Sequence, residues 1–263
     1  MKKTITVDGR DLVVCGRVGD PYFDHLNIGD HTNDFLLYVS KHYLRADAEI
    51  FDVGANIGAT AAILATAAPQ GRLFAFEPGA ETYPHLISTI QANKLPNCHP
   101  QQIALGASSG EVDFLSNSLS GSASHIVLNG MSLGGSNTRV KIKTVDDVVS
   151  QHELTRLDFI KIDVEGFEVD VLDGAKTTMV KLKPEVFLEF NAFTLIAYGN
   201  RNPRHVLEQL KGVFPHVYRF DRGMPHEITD ETSVLEFIHD NLIRRGCVDD
   251  LFCTFEALQP VLQ

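Results

Sequence analysis

Tryptophan is absent from the 263 residues, and cysteine occurs only four times. Cys15, Cys98, Cys247 and Cys253 form no CxxC pair and have no histidine at zinc-ligand spacing, which argues against a zinc knuckle or a disulfide framework. They read as buried free thiols of a reducing cytoplasm. Basic charge is scarce as well: 23 Lys and Arg stand against 34 Asp and Glu, a net charge of −11, and no basic block interrupts that balance. A surface that tracks nucleic-acid phosphates is therefore not expected. No long hydrophobic run exists. The aliphatic stretch AAILATAA at 61–68 is too short to cross a bilayer, and MKKTITVDGR carries two lysines without an apolar segment behind them, so it reads as a strand rather than a secretory signal. Together these absences leave an ordinary globular chain, expected to be cytoplasmic and without a membrane span.

What is present is a βα alternation. Residues 1–20 read as a small hairpin. TNDFLLYVSKHYL at 32–44 has helical spacing after a cap at Thr32 or Asn33, so residues 1–45 form a brace or lid. From residue 49, short apolar runs alternate with helical segments. The strands are EIFDVG (49–54), RLFAFEP (72–78), CHPQQIAL (98–105), LDFIKIDV (157–164) and EVFLEFN (185–191), with helices near 58–68, 80–93, 166–180 and 203–212. This predicts an α/β, doubly wound, mostly parallel sheet with all five strand C-termini along one edge, where ligands of such folds bind. A stretch at 106–156, with SGEVDFL and TRVKIKTV flanking a Ser- and Gly-rich run, reads as an insertion that shapes a substrate site. PHVYRFDR, a helix around 232–245 and LFCTFE read as a terminal hairpin that closes the sheet edge. No interior linker divides the chain, and 1–263 is expected to be one domain.

FDVGANIG at 51–58 ends a strand and opens a helix. Gly54 and Gly58 serve the tight turn and the close strand–helix approach. The position where a dinucleotide fold needs its second glycine holds Asn56, whose side chain obstructs a pyrophosphate but tolerates left-handed backbone angles. Glu77 follows Gly58 by 19 residues, near where an acid takes ribose hydroxyls. The turn and the acid specify a phosphate-free, adenosine-like ligand. The alternative for Glu77 is that it caps the next helix.

The segments IFDVGANIG, FAFEP and LDFIKIDVEGFE, with IALG, LEFN and YRFD around them, resemble the FkbM-type methyltransferase family over roughly 45–255. The resemblance implies a Rossmann-like seven-stranded sheet with an antiparallel last strand, S-adenosylmethionine as cofactor, and O-methylation of a sugar, glycan or natural-product hydroxyl. Carried over by residue, the implied cofactor contacts are Asp52, Gly54, Asn56, Gly58 and Glu77, with Gln102, Ile103 and Ala104 near the adenine. Asp52 sits in an apolar strand and needs a partner. The cofactor's ammonium is one, and the turn's own amides are another.

Methyl transfer from a sulfonium depends mostly on positioning, and a poor nucleophile such as a hydroxyl profits from a nearby base. Asp163 and Glu165 fall at the end of the fourth core strand, and strand alternation points both to one side. Asp163 is expected to contact the acceptor and Glu165 to assist as base or second contact. The competing reading is a helix N-cap near Gly166. A divalent cation between them is conceivable, but the sequence shows no complete ligand set. His125 is a further candidate contact or base, or a solvated loop histidine. Asn191 either touches the acceptor or bonds its own turn, and Asp146 and Asp147 read as structural acids at a helix start. Two rival functions stay open: a nicotinamide-dependent dehydrogenase, which Asn56 opposes, and a non-catalytic homologue that keeps the cofactor pocket.

Overall fold

The computed structural model describes residues 1–7, 9–26, 34–116, 124–127 and 136–259. The cap foreseen at Thr32 or Asn33 and most of the Ser-rich run lie outside the described residues. The chain opens with the hairpin β1 (Lys2–Val7) and β2 (Arg10–Cys15), then α1 (Pro21–His25) and α2 (Asp34–His42). The βα units follow as β3 (Glu49–Val53), α3 (Ala59–Ala67), β4 (Arg72–Phe76), α4 (Tyr83–Asn93) and β5 (Cys98–Gln101). Between β5 and β10 lie β6 (Ala104–Leu105), β7 (Gly110–Ser116), β8 (His125–Ile126), β9 (Ser136–Lys143) and α5 (Val145–Gln151). Next come β10 (Phe159–Ile162), α6 (Glu168–Asp173), α7 (Lys176–Lys181), β11 (Glu185–Asn191), α8 (Ala192–Ala197) and α9 (Pro203–Val213). The chain closes with β12 (His216–Asp221), β13 (Met224–Glu227), α10 (Glu231–Ile243) and β14 (Val248–Thr254).

The main sheet has the order β13-β12-β14-β11-β10-β3-β4-β5. β5, β4, β3, β10 and β11 run parallel, and β14 is antiparallel to both of its neighbours. This is the foreseen Rossmann-like plan with one addition: β13 folds back on β12 as an eighth, edge strand. The terminal hairpin therefore differs from expectation. The hairpin is β12–β13, while β14 returns after α10 and inserts between β11 and β12, because its consecutive residues Leu251 and Phe252 point to opposite faces and are both buried.

Two other elements differ locally. The third strand splits, since Pro100 can donate no ladder bond and is tolerated only on the sheet edge that β5 forms. Its continuation, β6, joins β9, β7 and β8 in a separate sheet. The helix expected at 166–180 breaks at Gly174, where a side chain would overlap the Gly106 carbonyl, so the close approach of that loop ends α6 before α7 begins.

Strand alternation sorts the core. Phe51, Val53, Ile160, Ile162 and Leu188 pack on one face with α5–α7, α9 and α10. Ile50, Phe159, Phe187 and Phe252 pack on the other with α2 and α3. That second face also carries, at alternate positions near the strand ends, Asp52, Lys161, Glu189 and Asp250.

Candidate active site

A cleft of about 330 Å³ opens at the C-terminal ends of the parallel strands. Its floor begins at the β3 turn. Gly54 takes φ +80 and Gly58 φ +91, and a side chain at Gly54 would overlap the Asp163 carbonyl, so glycine is what lets the β3 and β10 turns touch. Asn56 takes φ 49, the left-handed conformation expected of it. Glu77 is buried against this turn. Its Oε2 accepts from the Asn56 N–H at 3.0 Å and its Oε1 from the Gly79 N–H at 2.7 Å. Burial pushes its pKa up to about 7, opposed by those two hydrogen bonds.

Asp52 is fully buried and finds its partners inside the protein. Thr60 Oγ1 donates to its Oδ2 at 2.9 Å, and the Lys161 ammonium lies 3.5 Å from its Oδ1. Lys161 is itself 4% exposed, pairs in register with Asp52 across β3 and β10, donates to the Gly54 carbonyl at 3.1 Å and meets Asp163 Oδ2 at 3.3 Å. A buried charge is tolerable only when paired in this way.

Beyond Lys161 the wall turns acidic. One carboxylate oxygen from each of Asp163, Glu165 and Glu189 lies within 4.8 Å of the others. Asp250, in register with Glu189 across β11 and β14, lines the same cleft. Burial first, then Asp163 and Glu168, hold the Glu165 carboxyl well above the usual range. Burial also raises Glu189, reinforced by Asp163 and Glu165.

Residues 52–219 match the Methyltransferase FkbM domain. The chain belongs to the FkbM methyltransferase family. It is 36% identical over 131 residues to the hexuronic acid methyltransferase AglP of Haloferax volcanii, covering 49% of this chain and 50% of that protein. It is 26% identical over 199 residues to the 2-O-methyltransferase NoeI of Sinorhizobium fredii, covering 70% of this chain and 79% of that one. The crystal structure of a methyltransferase FkbM from Methylobacillus flagellatus KT superposes with a TM-score of 0.50 at 14% identity, covering 81% of this chain and 47% of that chain, a likeness of fold. The chain thus spans about half the length of AglP and of that solved protein.

In this member of the FkbM family, the cleft gathers Gly54, Asn56, Glu77, Ile103, Ala104, His125, Asp163 and Glu165 from the residues singled out in the sequence. Four others lie elsewhere. Asp52 is beneath the floor, held by Thr60 and Lys161 rather than open to a ligand ammonium. Gly58 caps α3 and makes room for Leu86. Gln102 is exposed and outside the cleft lining. Asn191 caps α8, its Oδ1 accepting from the Phe193 and Thr194 N–H groups, the turn-bonding alternative.

Asp163 and Glu165 do meet, but not by strand alternation. β10 ends at Ile162, Glu165 takes φ 55 and Gly166 φ 95, so a tight turn brings the two acids together. Neither caps α6; Glu168 bonds the Val164 and Gly166 N–H groups instead. Asp146 is structural as read, accepting from Thr177 and Thr178. Sequence reasoning missed Lys161, Glu189, Asp250 and Tyr22, which α1 brings to the cleft. The signal that marked Asp52, a lone charge in an apolar strand, also marks Lys161 in FIKI and Glu189 in FLEF.

Proposed function

We propose that this chain is an S-adenosylmethionine-dependent O-methyltransferase whose acceptor is a hydroxyl of a sugar, a glycan or a small natural product. The observation that carries the reading is the pairing of a braced acid, Glu77, with the carboxylate group of Asp163, Glu165 and Glu189 in one cleft. The residues fit the cofactor. Glu77 presents a carboxylate where ribose hydroxyls can donate, Asn56 Oδ1 is a buried acceptor with no protein donor, and Ile103, Ala104 and Phe76 offer an apolar seat for a purine. A dinucleotide fits poorly. Glu77 already occupies the Asn56 amide that a phosphate would use, and Lys161, the only lysine or arginine among the described lining residues, is committed to Asp52 and Asp163.

Bound S-adenosylmethionine supplies a methyl group already activated on a sulfonium. The residues' part is to place a hydroxyl in line with it and accept its proton. Glu165, raised by burial and by its acidic neighbours, is a stronger base once ionised than an ordinary carboxylate. Asp163, fixed by Lys161, orients the acceptor. The names of AglP and NoeI, both sugar-acting or O-directed methyltransferases, support this choice of acceptor. Calorimetry should show S-adenosylhomocysteine binding and no NAD binding, and labelled methyl transfer should reach a member of a panel of glycans and hydroxylated metabolites. NAD binding in preference would defeat the reading in favour of a dehydrogenase; cofactor binding without transfer would leave a non-catalytic homologue.

A further inference from the structure

One lining residue of the cleft starts a row of three rings. That residue is His125, its ring stacked on Tyr198 with centroids 3.8 Å apart and planes 8° apart. Tyr198 meets Phe193 edge-on, at 6.0 Å and 80°. Phe193 is 57% exposed, which leaves apolar ring surface in water at the end of a row that begins in the site. The row is also fixed to the acidic turn. A side chain on Gly166 would overlap the Thr194 carbonyl, and one on Gly199 would overlap the Gly166 carbonyl, so the segment carrying Phe193 and Tyr198 lies directly against Glu165–Gly166.

We propose that Phe193 and Tyr198, backed by the buried ring of His125, form an acceptor platform that receives the C–H face of a saccharide while Asp163, Glu165 and Glu189 accept from its hydroxyls. This rests on the methyltransferase reading above. A cleft of about 330 Å³ is near the lower bound for a small-molecule site, so with a nucleoside in it the body of an acceptor must lie on the rim. A pyranose is amphipathic in the required sense: hydroxyls project around its edge and C–H bonds cover its faces. A flat apolar acceptor would use the rings and leave the carboxylates without donors. A small aliphatic diol would satisfy the carboxylates and leave the rings in water. A saccharide uses both.

The absence of tryptophan makes the test direct, because F193W gives the chain a single indole on the platform. With S-adenosylhomocysteine present, cellobiose, chitobiose and maltose are titrated while emission is followed, with butane-1,4-diol as control. A saturable spectral change with at least one disaccharide and none with the diol is expected. By calorimetry, Phe193→Ala should weaken that disaccharide's binding about three- to tenfold and leave S-adenosylhomocysteine affinity unchanged. An indole silent to every saccharide, a diol response equal to theirs, or Phe193→Ala without effect would each overturn the platform. Failure of the wild-type protein to bind S-adenosylhomocysteine would instead remove the cofactor reading, so the two failures are distinguishable.

Discussion

Lys161 governs the charge balance at the residue scale. It neutralises Asp52 beneath the cleft and Asp163 within it, and its third bond ties the Gly54 carbonyl to the same ammonium. Lys161→Met should therefore leave Asp52 buried without its cation and cost about 3–5 kcal/mol, read as a lower urea midpoint. An unchanged midpoint would refute the role. Glu77→Gln removes a charged acceptor from two amides and turns one N–H toward another, so S-adenosylhomocysteine affinity should fall about tenfold by calorimetry. Glu165 makes a pH argument. Its raised pKa keeps it protonated at neutral pH, and the basic form appears only as pH rises, so turnover should climb on the alkaline side. Glu165→Gln should flatten that climb without altering cofactor affinity.

Turns decide more than strands or helices do at the element scale. The β3 and β10 turns contact each other only because Gly54 lacks a side chain, and α8 packs on the β10 turn only because Gly166 does. Gly166→Ala faces both a φ of +95 and the Thr194 carbonyl, so it should lower the melting temperature and turnover together. Gly212 is the contrasting case. It lies in α9 with open space where a side chain would go, and Gly212→Ala should stabilise by about 0.5–1 kcal/mol in denaturant titration. The same contrast explains what was legible. Apolar runs revealed the strands and their approximate limits, since burial on both faces of a parallel sheet leaves that trace. The meeting of Asp163 and Glu165 was foreseen through alternation, yet a left-handed turn at Glu165 produces it. Spacing along a chain does not record where a strand stops.

The buried carboxylates together set a pH dependence of the whole molecule. Burial raises Glu77 and Glu168 from 4.5 to about 7, and Asp250 from 3.8 to about 8. Each binds its proton more tightly folded than unfolded, so its contribution is present at low pH and lost as pH rises through the folded value. Stability should decline from about pH 4.5 to about pH 8, seen as a falling melting temperature, with S-adenosylhomocysteine absent throughout. A rise across that window would contradict the burial of these groups. Lowered carboxyls such as Asp47, bonded to Arg45 and Arg156, oppose the trend only below their ordinary value of 3.8.

The order of hydrophobic runs, the glycine turn with Asn56, and the acid at residue 77 were determined by the sequence alone, because backbone conformation and burial act on near neighbours and leave a local pattern. The company that Asp52, Lys161, Glu189 and Asp250 keep was decided only by the tertiary structure. These residues lie on β3, β10, β11 and β14, four neighbouring strands of the sheet that are separated along the chain by whole βα units, and β14 reaches its place beside β11 only after β12, β13 and α10. Electrostatic and hydrogen-bond partners depend on distance in space, and that distance exists only once the sheet has closed.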